Sequence, residues 1–289
     1  MKKKYEEIAA GYLFLTPNLI GFLIFTFLPI FASLLLSFTD YSMFGDYSWI
    51  GTDNYYELTK DMFFWQSLKN TAQYAVYTVP IKIALALFLA VLLNRKLRGA
   101  TFFQTIYFLP IVCSTVAIAL IWQWLFEPAG LINHILHSLG IGPFPWLTDT
   151  SWAMLSVAIV SIWKETGYYM VIFLAAMKGV PKEQYESAKI DGANAWKTFW
   201  HITFPSISPT TFFVIVTSII MSFRVFDLTS VLTRGGPGNA TNTLVMLIYQ
   251  CAFNFFRMGY ASAIAYIFFG IILVFTVIQI VLSKRWVNY

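Results

Sequence analysis

Charge is the scarcest property of this sequence. Only 11% of its 289 residues are Asp, Glu, Lys or Arg, whereas 58% are hydrophobic and 19% are aromatic. A soluble domain of this length would keep far more charge on its surface. The composition therefore excludes an ordinary soluble protein and predicts a polytopic membrane protein.

Other absences narrow the function. The two cysteines, Cys113 and Cys251, lack metal-like spacing and are expected to be buried apolar residues. The histidines His134, His137 and His201 are scattered, which disfavours a metal site or a membrane-embedded enzyme. A Walker A sequence is missing, as is a basic run interleaved with aromatics. We therefore expect neither ATP hydrolysis, a cofactor or a metal in this chain, nor nucleic acid as a partner.

Six apolar stretches are long enough to cross a membrane as helices. The predicted spans are Tyr12–Leu36, a stretch within Asn70–Asn94, a stretch near Thr105–Leu125, and stretches within Thr150–Met177, Ser206–Leu232 and Met258–Ser283. The prediction is an all-α protein with six transmembrane helices in one domain, residues 1–289. The first span is too long for a signal peptide, and no small-x-small cleavage site follows it.

The basic residues predict the orientation, because cytoplasmic loops carry an excess of Lys and Arg. Twelve of the nineteen lie in the two tails and in the second-to-third and fourth-to-fifth connections, against four on the opposite side. The twelve are Lys2, Lys3, Lys4, Arg95, Lys96, Arg98, Lys178, Lys182, Lys189, Lys197, Lys284 and Arg285. Both termini are therefore predicted to be cytoplasmic. The connections at about 38–69, 126–151 and 233–257 are then extracytoplasmic; they either receive a partner protein or form packed aromatic lids.

The cytoplasmic connection at about 178–205 has the spacing of a helix–turn–helix. Pro181 suits a first helical turn, and Glu183 places negative charge near the helix N-terminus. Gly192 is expected to end this helix, and Ala193–Trp200 to form a second one. Two interpretations fit equally: a knob that docks on a partner, or an amphipathic loop lying on the membrane.

This connection resembles the EAA loop of bacterial ABC importer permeases. The pattern E-x-A-x3-G-x9-I-x-x-P is formed by Glu186, Ala188, Gly192, Ile202 and Pro205, while Ser187 and Phe204 replace the usual alanine and leucine. The blocks WKETGYYMVIFLAAMKGVP and FDLTSVLTRGGPGNATNT are similar to the MalF/UgpA-like sugar permeases. The similarity extends over nearly the whole chain.

The resemblance implies a type I ABC importer permease fold and a role as one membrane subunit of a sugar or oligosaccharide importer in the bacterial inner membrane. Its coupling residues would be Glu186, Ala188, Asp191 and Gly192, docked on a separate cytoplasmic ATPase dimer that binds ATP and Mg²⁺. The other implied partners are a second, homologous permease subunit, forming a heterodimer, an extracytoplasmic substrate-binding protein, and membrane lipid.

Ionisable residues within the spans are expected to face a bundle interior or an aqueous cavity. Lys82 lies in mid-span and is predicted to face a partner helix or water. The others could neutralise one another as Lys164 with Asp227 and Glu165 with Arg224, or could contact substrate. An ion relay in a secondary transporter or channel is the alternative from another functional class.

The resemblance to the maltose permease implies sugar contacts at Glu165, Thr166, Tyr169, Ser218 and Ser222. The predicted substrate site is completed by Arg224 and Asp227, which lie late in the fifth predicted span, after Ser218 and Ser222. The small residues at the start of the sixth span, Gly259, Ala261, Ser262, Ala263 and Ala265, favour close helix packing rather than ligand binding.

Overall fold

The computed structural model describes residues 2–95 and 98–287. Lys96, one of the residues used to predict the orientation, lies outside the described residues. Within these ranges the chain is helical except for turns and two isolated β-bridges, which agrees with the predicted all-α class.

The long helices follow the apolar stretches of the sequence, and shorter helices lie in the connections. They are α1 (Lys2–Phe22), α2 (Leu28–Leu36), α3 (Asp53–Lys60), α4 (Met62–Leu93), α5 (Ala100–Val112), α6 (Thr115–Leu125), α7 (Leu131–Ser138), α8 (Thr150–Lys178), α9 (Lys182–Ile190), α10 (Ala195–Thr198), α11 (Phe204–Ser206), α12 (Ser208–Phe223), α13 (Asp227–Leu232), α14 (Leu244–Tyr249) and α15 (Met258–Ser283). The described residues also contain three π-helical turns. The first, Leu23–Phe27, joins α1 to α2; the second, Phe199–Thr203, joins α10 to α11; and the third, Gln250–Asn254, extends α14.

Among the described residues, five helical stretches are long and apolar enough to span a membrane, and α5 with α6 supplies a sixth if the bent pair is one span. The fourth and sixth predicted spans agree with α8 and α15. The second was predicted too short, because α4 begins at Met62. The outer connection predicted at about 38–69 is correspondingly shorter, and it contains the helix α3.

The predicted third span is not one straight helix. Its halves, α5 and α6, meet at an angle of 97°. Cys113 and Ser114 both have extended ψ angles, of 149° and 128°, and Pro110 lies in the last turn of α5, where it cannot donate a backbone hydrogen bond. Cys113 is exposed at this bend, so the prediction that it is buried is wrong; Cys251 is buried as predicted.

The fifth span is also interrupted. The helix α12 ends at the capping residue Arg224, and α13 begins at Asp227. Between them, Phe226 has a φ of −139° and a ψ of −56°, which leaves the helical path. The charged residues of this span therefore lie at a break in the helix and not on a continuous helical face.

The chain divides into two compact units. One comprises Met1–Asp61 and Ile248–Phe269, and the other comprises Met62–Leu247 and Gly270–Tyr289. The single domain over residues 1–289 stays a prediction.

In the larger unit, α8 packs along α4 and α5, while α12 packs on α4 and α13 on α6. One end of its core contains side chains of α4 and α8 that are almost completely buried: Ala86, Ala90, Met170, Phe173 and Leu174. Burial of such apolar side chains fixes the helices that carry the candidate site.

In the smaller unit, the small residues of α15 allow close packing. A Cβ atom on Gly259 would lie 2.1 Å from the carbonyl oxygen of Thr39. Ala261 and Ala263 are buried, and Ser33 donates a hydrogen bond to Ser262 over 3.3 Å. The packing interpretation of this stripe is therefore confirmed.

Candidate functional site

The connection between α8 and α12 forms the predicted helix–turn–helix. Gly192 has a φ of +71°, a left-handed conformation that glycine adopts without strain, and it follows the end of α9. The backbone N–H of Ala193 donates to the carbonyl of Ala188 over 2.9 Å, which closes the turn. The side chain of Asn194 then caps α10 by accepting from the N–H of Lys197. We call residues 181–206 the knob.

The knob packs against the core of its unit through Tyr185 and Ile202, which contact the buried cluster that contains Leu93 and Met177. Within the knob, the hydroxyls of Tyr185 and Thr203 are hydrogen-bonded over 3.2 Å, and Ala188 is buried. Glu186, Asp191 and Gly192 are exposed. The structure thus places three of the four predicted coupling residues on the surface, whereas Ala188 packs within the chain.

Large apolar side chains are also exposed on the knob. Ile190 is 86% exposed and Trp196 is 70% exposed. Both lie in a segment that also carries three lysines, two glutamates and an aspartate.

A cavity of about 370 Å³ lies where the bend between α5 and α6, the middle of α8 and the break between α12 and α13 come together. We call it the central cavity. Its polar and aromatic lining consists of Tyr74, Thr115, Lys164, Glu165, Tyr168, Tyr169, Thr217, Arg224, Phe226 and Asp227. Both interruptions of the spans therefore serve to bring polar groups into one intramembrane space.

Four of the seven predicted substrate contacts line this cavity: Glu165, Tyr169, Arg224 and Asp227. The other three are buried beside it. Thr166 donates to the carbonyl of Ile162 within its own helix, and Ser222 is hydrogen-bonded to Thr78 over 3.2 Å. The hydroxyl of Ser218 has no hydrogen-bond partner among the described residues.

The charges pair differently from the two pairings considered above. Lys82 is completely buried, and its Nζ lies 2.6 Å from Oε2 of Glu165. The pairing of Glu165 with Arg224 is therefore wrong, because Lys82 from α4 occupies this carboxylate. The prediction that Lys82 faces a partner helix is confirmed, and its ammonium also lies 5.4 Å from the ring centroid of Tyr169.

Lys164 does not pair with Asp227 either. Its Nζ donates to Oγ1 of Thr115, the first residue of α6, over 2.6 Å. Sequence reasoning missed Thr115 because an apolar run gives no sign of a bend. It also missed Gly167, on which a Cβ atom would lie 1.8 Å from the carbonyl oxygen of Tyr107 in α5. A glycine inside an apolar helix is the only sequence signal for such a close approach.

A second cavity, of about 560 Å³, lies at the other ends of α6 and α13, between the 126–148 and 230–234 segments. Asn133 organises its aromatic wall: its Oδ1 accepts from the N–H of Phe144 and from Nε1 of Trp146, each over 3.0 Å. On the other side, Arg234 starts the Gly-Gly-Pro-Gly turn with a φ of 52°. Asn70 holds the far end of this turn by donating to the carbonyls of Asn239 and Asn242.

The arrangement has the features of a transport protein. Helices long enough to cross a membrane surround a polar cavity at their interruptions, and a polar knob projects from the same unit. No group of three or more His, Cys, Asp or Glu side chains arranged to hold a metal ion occurs within the described ranges.

Comparison with known proteins gives the family. Residues 82–288 match the sequence model of the family described as "Binding-protein-dependent transport system inner membrane component", and the chain belongs to this family. It is 40% identical to the probable ABC transporter permease protein YesP of Bacillus subtilis over 98% of this chain and 93% of that protein. It is 37% identical to the lactose transport system permease protein LacF of Rhizobium radiobacter, covering 98% of this chain and 96% of that protein.

A solved structure shares the fold. A subunit of a bacterial ABC transporter involved in the import of the acidic polysaccharide alginate matches with a TM-score of 0.85 and 26% identity, covering 99% of each chain. The predicted permease fold and importer family are therefore confirmed. The chain is a multi-pass, non-catalytic transport subunit, and the comparisons give no support to an ion-coupled secondary transporter or channel.

Proposed function

We propose that this chain forms half of the translocation pathway of an ATP-driven importer for a sugar or oligosaccharide. It would lie in a bacterial inner membrane with both termini in the cytoplasm, as the distribution of Lys and Arg predicts. The proposal of a saccharide is supported by the relatives named for lactose and alginate transport. The observation that carries the coupling role is the exposed knob, in which Glu186, Asp191 and Gly192 share one surface with Ile190.

The proposed partners follow from the same features. A cytoplasmic ATPase dimer, which binds ATP and Mg²⁺, would receive the knob. A second, homologous permease subunit would complete the pathway as a heterodimer, and an extracytoplasmic binding protein would deliver the saccharide. A structure of the alginate transporter in complex with its pentasaccharide-bound periplasmic protein, matching with a TM-score of 0.88 and 25% identity, supports the last of these.

The knob is connected to the central cavity by continuous structure. Tyr185 links α9 to Thr203, from which the chain runs through α11 into α12. The 16 residues of α12 extend over about 24 Å and end at Arg224 in the cavity wall. A displacement of the knob by the ATPase would therefore move one wall of the cavity, which is the change that an alternating-access importer requires.

The central cavity suits a saccharide. The exposed ring of Tyr168 can cover the apolar face of a sugar ring, with Tyr169 meeting Tyr168 edge-on. Glu165, Arg224 and Asp227 can exchange hydrogen bonds with hydroxyls. The buried hydroxyl of Ser218 gives a further polar group next to Tyr169. Thr166, Ser218 and Ser222 would act from behind the wall unless the cavity widens during transport.

Replacing Gly192 with aspartate should abolish coupling between the permease and its ATPase. We expect substrate-stimulated ATP hydrolysis by the reconstituted complex to fall about a hundredfold, because a side chain and a negative charge would enter the contact surface. Glu186→Lys should have a similar effect. The measurement is ATP hydrolysis with and without loaded binding protein.

Gly140→Asp is the matched control. Gly140 has a φ of +76°, close to the +71° of Gly192, and a Cβ atom added to either glycine would have no atom within 4 Å. The two substitutions therefore cost similar backbone strain, but Gly140 lies in a predicted extracytoplasmic connection. Equal loss of stimulation in both variants would show that Gly192 acts through local strain, and full stimulation in Gly192→Asp would exclude the coupling role.

A further inference from the structure

The charges around the central cavity do not cancel. Glu165 is neutralised by Lys82, whose Nζ is 2.6 Å away. Of the remaining charged residues that line the cavity, Lys164 and Arg224 are positive and only Asp227 is negative. Within residues 2–95 and 98–287, neither Lys164 nor Arg224 has a carboxylate oxygen within 4 Å.

Lys164 is the more informative of the two cations. It is only 8% exposed, and among the described residues the one hydrogen-bond partner of its ammonium is the neutral hydroxyl of Thr115. A buried ammonium without a counter-ion is costly, and an ammonium has three donors to satisfy. The structure thus places a largely buried lysine at the cavity wall, with ammonium donors to spare.

The surrounding backbone reinforces the positive potential. Thr115 is the first residue of α6, and the capping residue Ser114 makes no side-chain bond to the free N–H groups of the first turn. The N-terminus of α6 therefore adds positive partial charge beside Lys164. On the opposite wall, the guanidinium of Arg224 is exposed and suits the planar geometry of a carboxylate.

We propose that the central cavity contains an anion subsite, formed by Lys164 and Arg224, that selects saccharides carrying a carboxylate, such as uronic-acid units. The inference deepens the proposed function and rests on it. The sugar carboxylate supplies the counter-ion that Lys164 lacks, while Tyr168 and Tyr169 contact the ring. The negative charge of Asp227 repels the sugar carboxylate and so lowers the selectivity for acidic saccharides.

The test is calorimetric binding to the complete transporter in lipid nanodiscs without its binding protein, so that only the membrane subunits select. The probes are disaccharides ending in galacturonate, glucuronate or mannuronate, each paired with its carboxyl-reduced, neutral counterpart. For at least one pair, we expect the acidic member to bind about tenfold or more tightly. Lys164→Gln and Arg224→Gln should remove most of this preference, and Lys164→Arg should keep it.

Asp227→Asn is the control for poor folding. It should increase the preference for the acidic member, a result that a merely misfolded variant would not give. Equal binding of acidic and neutral members by the wild type would overturn the anion subsite and leave the saccharide importer standing. So would parallel losses for both members in Lys164→Gln. Binding of neither member would overturn the subsite and the saccharide assignment together, while the Gly192→Asp experiment would still decide the coupling to an ATPase.

Discussion

Replacing Gly167 with alanine is expected to destabilise the protein by roughly 3 kcal/mol or more, at the upper end of the cost of overpacking. A Cβ atom at this position would lie 1.8 Å from the carbonyl oxygen and 2.4 Å from the carbonyl carbon of Tyr107. Since both are backbone atoms, no side-chain rotation relieves the clash, and α5 must move away from α8. The measurement is the thermal unfolding temperature of the purified transporter.

Gly270→Ala is the control for this prediction. Gly270 is also helical, but no atom lies within 4 Å of the position of its Cβ. Alanine there should leave stability unchanged or raise it by up to about 1 kcal/mol, because alanine is the better helix former. If the Gly167 variant melted at the same temperature as the Gly270 variant, the close approach of α5 and α8 would be refuted.

Breaking the buried ion pair between Lys82 and Glu165 should also have a large effect, and an asymmetric one. Removing one partner of a buried pair costs about 3–5 kcal/mol, because the other charge remains uncompensated. The side chain of Lys82 is 1% exposed and that of Glu165 is 24% exposed. Glu165→Met, which strands the fully buried lysine, should therefore destabilise the protein more than Lys82→Met.

A double-mutant cycle tests this pair. The variant with both substitutions should recover most of the lost stability, since an apolar pair of similar volume often replaces a buried ion pair without penalty. The exposed pair between Arg257 and Glu57, with both side chains 48% exposed, is the control. Glu57→Gln should cost about 1 kcal/mol or less. Additive effects of the two buried substitutions would mean that Lys82 and Glu165 do not interact.

Most of the helices could be predicted from the apolar runs of the sequence and from the polar residues and glycines that bound them. The sixth predicted span agrees with α15 because its boundaries, Met258 and Ser283, coincide with the change from polar to apolar residues. The turn of the knob could be predicted equally well. Gly192 follows the end of α9 as expected, because a left-handed φ is a local property of a glycine at a helix end.

The interior of the membrane was less predictable, because it depends on contacts between distant residues. The bend at Cys113 and Ser114 interrupts a run without charge, so hydropathy showed one span. Lys82 and Glu165 are 83 residues apart, and only the packing of α4 on α8 brings them together. Of the four predicted substrate contacts that line the cavity, Glu165 and Tyr169 lie in the middle of α8, whereas Arg224 and Asp227 reach it at the break between α12 and α13.

The most direct test of the coupling role is photo-cross-linking from the tip of the knob. A benzophenone amino acid in place of Ile190, which is 86% exposed, should cross-link to a cytoplasmic ATPase subunit in membranes containing the whole transporter. The same group in place of Trp49, 66% exposed in a predicted outer connection, should give no such product. A knob that cross-links only to lipid, with the ATPase present and assembled, would contradict the proposal that this surface connects the motor to the translocation pathway.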